Sequence, residues 1–396
     1  MFRAHYITIV IIGVFITLFL SCSKSENADG TDKYQAIKTT FGGTIDPDDL
    51  LNYAQQTVPA YITKDNTENN NITDAKATLG RVLFYDKNLS IDNSVSCGSC
   101  HKQTFAFGDT ALISNGVEGG LTIRHSMRLV NSRFALEKKF FWNERAASLE
   151  IQTTMPIQDH AEMGYSGQNG RPGLSTLLSK LASINYYNEL FTFVYGDPAV
   201  TESRMQECLS QFIRSIQSFD SKYDEGRAVV NNDNADFPNF TAQENNGKAL
   251  YLTPPVFDAT GTRISGGLGC NNCHRAPEFD IDPNTRNNGI IGIINAAGLD
   301  IGNTRSPSLR DLTQPNGSVN GPMMHTGVIK TLQAAIGHYG AINNATGNNN
   351  LDPRLTPNGI GQKLVLNAQE VNAMIAFFKT LSGNAVYSDE RWSDPF

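Results

Sequence analysis

Gly80-Arg81-Val82-Leu83-Phe84 running on to Cys97-Gly98-Ser99-Cys100-His101, and Gly247-Lys248-Ala249-Leu250-Tyr251 running on to Cys270-Asn271-Asn272-Cys273-His274, decide how this chain folds. Each stretch opens with glycine, a basic residue, an apolar residue, leucine and an aromatic residue at helical spacing. Each closes on Cys-x-x-Cys-His. A repeat of this kind marks two copies of one structural unit. Two thiols at that spacing can form thioethers with the vinyl groups of a porphyrin, and the adjacent histidine then reaches the iron. A zinc site would need four ligands converging from both units. The separate upstream helices give each motif its own domain and argue against that. The chain is therefore expected to carry two covalently bound haem c groups, one on Cys97, Cys100 and His101 and one on Cys270, Cys273 and His274.

Each half also closes on an amphipathic helix. The first is expected from Thr201 to about Phe219, with Leu209, Phe212, Ile213 and Ile216 on one face. The second has Asn367 as its cap with Glu370 three residues on, carries Val371, Met374, Ile375, Phe378 and Leu381, and stops at Gly383. Thr241 and Glu244 form a capping box at the start of the helix before the second motif. Convincing strand pairs are absent. The expected fold is mainly α, two c-type cytochrome domains in tandem, each with one covalently bound haem and with its first and last helices crossing beside it. Asn231-Asn232-Asp233-Asn234 and Pro238 read as the linker. The expected division is 1–22 signal peptide, 23–72 tether and N-terminal extension, 73–235 first domain and 236–396 second domain.

The 396 residues carry 32 basic and 39 acidic side chains, a net charge of −7 without a basic cluster, which excludes nucleic acid as an expected partner. Arg3 precedes an apolar run from Ile7 to Leu20, short for a membrane span, that ends in Ser21-Cys22. This has the form of a bacterial lipoprotein signal, with Cys22 as the lipidated residue of a membrane-anchored protein in the periplasm. Six cysteines in an exported chain would suggest disulfides, but four lie in the two motifs and Cys22 in the signal. Cys208, alone in a helical stretch, reads as a small buried apolar residue.

Further stretches match a known family in order. Leu79-Gly80-Arg81-Val82-Leu83-Phe84-Tyr85-Asp86 precedes the first motif, and Phe141-Trp142-Asn143-Glu144-Arg145-Ala146-Ala147-Ser148-Leu149-Glu150 follows it. Then come Pro156-Ile157, Glu162-Met163-Gly164, the second motif, Arg305-Ser306-Pro307-Ser308-Leu309-Arg310, Met324-His325-Thr326-Gly327 and His338-Tyr339. Over residues 73–383 the chain resembles the bacterial di-haem cytochrome c peroxidase / MauG family. The resemblance implies that hydrogen peroxide is reduced at the N-terminal haem, with electrons relayed by the C-terminal haem from a small cytochrome c or a cupredoxin. It places Glu162 as the acid–base group beside the peroxide haem. Read alone, a glutamate in a loop is more often solvated. Trp142 would lie between the haems and carry an electron, or serve as a core aromatic beside Arg145, which would pair a haem propionate. Arg81, Arg305 and Arg310 would serve propionates too, or lie on the surface.

Three departures from the family pattern matter. Family members that need pre-reduction have a distal histidine in a loop after the first motif; here residues 113–124 contain none, which predicts an open coordination position on the first haem. His125 follows, where the family usually has an asparagine near its calcium site, so calcium at Asn320 and Pro322 is left open. Where the peroxidases have methionine on the second haem, the matching residue is Tyr339, as in MauG-type members, with Met323, Met324 and His338 as competitors. The implied function is peroxide reduction. A MauG-type oxidation of a protein side chain and a non-catalytic di-haem electron carrier are the other readings, and a homodimer is one open arrangement.

Overall fold

A computed structural model of the chain describes residues 33–281, 283–294 and 297–396. The signal sequence, Cys22 and the start of the tether lie outside the described residues. The helices are α1 (Gln35–Phe41), α2 (Asp74–Tyr85), α3 (Cys97–Cys100), α4 (Leu149–Gln158), α5 (Leu174–Ala182), α6 (Asn185–Tyr195), α7 (Glu202–Ser215), α8 (Lys222–Ala228), α9 (Ala242–Leu252), α10 (Leu332–Gly340) and α11 (Ala368–Lys379). Among the described residues no helix is long and apolar enough to cross a membrane.

Two helix pairs organise the molecule, and the sequence repeat explains both. α2 crosses α7 at Gly80, where a Cβ would lie 2.0 Å from the Cys208 carbonyl oxygen. α9 crosses α11 at Gly247, where a Cβ would lie 2.0 Å from the Ala373 carbonyl oxygen. Only glycine permits backbones to approach that closely. The repeated aromatic residue then seals each crossing. Phe84 packs on Phe212 with centroids 5.1 Å apart, and Tyr251 packs on Phe377 at 5.2 Å. Cys208 is fully buried, as its setting in an apolar helix face suggested.

Local signals set most helix starts. Thr73, Ser148, Thr201, Thr331 and the capping boxes Thr241–Glu244 and Asn367–Glu370 accept or exchange bonds with the first-turn amides. The ends are set by distant partners. α7 stops at Ser215, short of Phe219, because Asn131 accepts from the Ser218 amide and donates to the Ser218 carbonyl (2.8 and 3.1 Å). α11 stops at Lys379, before Gly383, whose amide donates to Asp311 Oδ1 at 2.9 Å.

Against the sequence reading, strand pairs exist. β1 (Pro255–Phe257) pairs antiparallel with β2 (Arg263–Gly266), and β3 (His274–Arg275) with β4 (Asp280–Ile281). Strands of two to four residues present too short an alternation to be recognised.

Buried apolar residues form two main clusters, one spanning residues 34–216 and a second spanning 223–381, and a small third one of Ile342, Leu351 and Leu355. The first also takes in Val386 and Trp392. Segment 385–396 thus returns to the first half: Tyr85 Oη donates to the Trp392 carbonyl at 2.6 Å, Arg81 Nε to the Ser393 carbonyl at 2.7 Å, and Gln103 Nε2 to the Asp389 carbonyl at 2.8 Å.

Candidate active site at two adjoining cavities

Each motif borders its own cavity. The first is lined by Cys97, Cys100, His101, Phe84, Leu209 and Ile213, and also by Glu162, Arg145 and Trp142. The second is lined by Cys270, Cys273, His274, Leu312, Ile336 and Phe378, and also by Tyr339, Met323 and Met324. Trp142 borders both, together with residues 125–128 and Arg305. The four motif cysteines are in no disulfide, and the two motifs do not converge on one centre.

The cavities suit haem on several grounds. Their linings combine apolar side chains with thiols of the motif spacing. Burial pushes the Cys97 and Cys270 thiols up to about 12, which disfavours a free thiolate. His101 Nδ1 lies 3.1 Å from the Phe107 carbonyl, which fixes the ring and would leave Nε2 to a metal. Burial lowers the His101 pKa, favouring the neutral ring that coordinates iron. Arg128 Nε and Arg305 Nε are buried without a hydrogen-bond partner, as donors awaiting carboxylates would be. Arg81 and Arg310 are committed elsewhere. Arg81 holds Ser393, and Arg310 makes two bonds to Asp224 (2.9 and 2.7 Å). Both are buried rather than on the surface, and neither borders either cavity.

Glu162 stands where a chain of backbone contacts puts it. Asp159 Oδ1 accepts from its amide at 3.0 Å, and its carbonyl accepts from the Val117 amide at 3.1 Å. Gly116 and Gly120 close on the preceding residue: a Cβ on either would lie 1.9 or 2.5 Å from the Ala161 carbonyl oxygen. The histidine-free loop is therefore docked against the segment that carries the acid. Burial, then the Asp159 charge, raise the Glu162 pKa to about 7, against the opposing pull of Arg145. Arg145 stacks on Phe141, its guanidinium 3.5 Å from the ring centroid, at the border of the same cavity.

Trp142 is buried, and its Nε1 donates to the His125 carbonyl at 2.7 Å. Its ring lies 6.2 Å from that of His325, whose amide neighbourhood is joined to His125 through the His125 N–His325 O bond of 2.8 Å. His125 Nδ1 lies 3.0 Å from the Ala111 carbonyl. Asn320 donates to the Asp311 carbonyl and Tyr387 Oη (both 2.7 Å) and leaves Oδ1 buried without a partner.

In the second cavity the competitors for the iron separate. Tyr339, Met323 and Met324 border it, whereas His338 turns its Nε2 to the Asn288 carbonyl at 2.9 Å. Burial raises the Tyr339 phenol pKa above its ordinary value. The motif residues, Glu162, Trp142, Arg145 and Tyr339, all named from the sequence, border one or both cavities. Sequence reasoning missed Asn288, His325 beside Trp142, and the role of Gly116 and Gly120. The doubled glycine in a loop was the one available signal for the last.

Comparison with known proteins agrees with this geometry. Residues 74–233 match the family described as di-haem cytochrome c peroxidase. The methylamine utilization protein MauG of Methylophilus methylotrophus is 27% identical over 319 residues, 80% of this chain and 85% of that protein. The cytochrome-c peroxidase IdrP1 of Denitromonas iodatirespirans is 28% identical over 352 residues, 79% of this chain and 83% of that protein. Among solved structures, a MauG-like protein associated with microbial copper homeostasis superposes with a TM-score of 0.66 at 27% identity, covering 86% of this chain and 99% of that one.

Proposed function

We propose, on the premise that the chain belongs to the di-haem cytochrome c peroxidase / MauG family, that it reduces hydrogen peroxide to water with electrons from a small cytochrome c or cupredoxin. It is a peroxidase-type oxidoreductase. The observation that carries the reading is that Glu162 and His101 border one cavity, whose other border, Trp142, is shared with the cavity of His274.

Haem held at the two motifs would supply the redox chemistry that reduces the O–O bond. The rest belongs to the protein. Cys97, Cys100, Cys270 and Cys273 would hold the groups, and His101 and His274 would each supply an imidazole nitrogen to the iron. Arg305, whose Nε is left over, and Arg145 border the first cavity and would pair propionates. Glu162 as carboxylate takes the proton from one peroxide oxygen and returns it to the other as the bond opens. A group with pKa near 7 does both without a large penalty. Trp142, buried and hydrogen-bonded, links the two cavities as the electron's route. Export and lipidation at Cys22 would place the enzyme at a membrane surface in the periplasm, where such donors meet it. Tyr339 on the second cavity favours a second reading, the MauG-type oxidation of a protein side chain.

The test mixes as-isolated ferric holoprotein, lacking residues 1–22, with hydrogen peroxide and a reduced small c-type cytochrome. Oxidation of the cytochrome without pre-reduction, lost in Glu162→Gln, supports the peroxidase. Peroxide consumption while the cytochrome stays reduced supports the MauG-type reading. Two six-coordinate haems inert to peroxide leave only the electron carrier.

A further inference from the structure

Asn288 sits at the junction of all the side chains that compete for the distal face of the second motif's cavity. Its Oδ1 accepts from the Ile290 amide at 3.2 Å, which fixes the orientation of the amide group and leaves Nδ2 as the donor end. Nδ2 then reaches Tyr339 Oη at 3.2 Å and Met324 Sδ at 3.3 Å. The Asn288 carbonyl meets His338 Nε2 at 2.9 Å. One residue thus touches three of the four candidates. Asn288, Tyr339 and Met324 all border the cavity, whereas His338 does not. Tyr339 is held from its other side, because Gln362 Nε2 donates to its carbonyl at 2.8 Å.

We propose that Asn288 is the positioning residue that assigns the distal coordination of the second haem to Tyr339 and withholds it from Met324 and His338. The inference rests on the reading that Tyr339 is the distal ligand. The two acceptors are unequal. A phenolate oxygen takes a charge-assisted hydrogen bond, about twice as strong as a neutral one, whereas thioether sulfur is a weak acceptor. The Asn288 NH2, with its two N–H donors, therefore stabilises a coordinating phenolate with one while the other occupies a lone pair on the rival sulfur. The third contact withdraws the imidazole by bonding it to the main chain. All three effects favour tyrosine.

The experiment compares the resting ferric holoprotein with Asn288→Ala and with the isosteric Asn288→Asp, which keeps the acceptor and removes the donor. The readouts are the low-spin magnetic resonance and near-infrared signatures of the second haem and its reduction potential. The signature of the first haem reports that the variants are folded. Loss of one such charge-assisted bond shifts the ligand balance by roughly ten- to a hundredfold. The tyrosine-bound fraction is expected to fall by that factor in both variants, with methionine ligation appearing and the potential rising. Adding Met324→Leu to Asn288→Ala should remove the methionine signature. Tyr339→Phe separates the two levels of the argument. If Tyr339→Phe changes the second haem but both Asn288 variants match the wild type, tyrosine ligation stands and the role of Asn288 is overturned. If Tyr339→Phe changes nothing, both are overturned.

Discussion

At the scale of single residues, Glu162 makes the sharpest prediction. Its pKa is raised to about 7 by burial and by Asp159, so below that pH it is neutral and cannot accept a proton. The peroxide-dependent rate should rise with pH and reach half its plateau near 7. Glu162→Gln should lose roughly 10²- to 10⁴-fold in rate and abolish that limb; a stopped-flow pH profile of both proteins checks this. Trp142→Phe removes the donor to the His125 carbonyl. It should cost about 1–3 kcal/mol of stability, measured by denaturant titration, because a buried acceptor is left alone. It should also slow steady-state oxidation of the donor cytochrome more than the reaction of peroxide with the first haem. These residues were legible because their chemistry is tied to a motif: thiols and imidazole at fixed spacing, an acid and an indole within ordered matching stretches. Asn288 was not legible. It belongs to an asparagine-rich chain, and nothing local distinguishes an amide that meets Tyr339 and Met324 from one that faces water; long-range folding alone decides that.

At the scale of elements, the repeated glycines carry the architecture. Gly80→Ala would drive a methyl group into the Cys208 carbonyl, and Gly247→Ala would do the same at Ala373. Backbone cannot yield as a flexible side chain does, so each should cost about 1–3 kcal/mol or more, read as a lower thermal midpoint. Ala substitutions at Gly42 or Gly196, where nothing lies within 4 Å, would report only the cost of a positive φ and serve as controls. Helix starts were legible to the residue, since a cap is a local bond: Thr241 with Glu244 and Asn367 with Glu370 are as the sequence implied. Helix ends were not. Asn131 and Asp311 terminate α7 and α11 from far along the chain, and no pattern inside either helix announces them.

At the scale of the whole molecule, the two main clusters of buried side chains are not cut at one point in the chain. Trp392 lies in the first cluster, donating Nε1 to Ser215 Oγ at 3.2 Å, and is 1% exposed. Trp392→Ala should cost about 3–5 kcal/mol. Because the loss falls on the first cluster, the first haem's spectrum should change at lower denaturant than the second's, the reverse of what a self-contained second half would show. The returning segment also reaches the first motif itself. Tyr85, bonded to the Trp392 carbonyl, packs its ring where a Cβ on Gly98 would lie 2.5 Å away, and Gln103, two residues beyond His101, holds Asp389. This geometry imposes an order of events during biogenesis. The first Cys-x-x-Cys-His is synthesised long before Trp392, so the core around it stays unfinished until Trp392 follows. The core around the first motif is therefore completed only once the segment that carries Trp392 has folded back onto it.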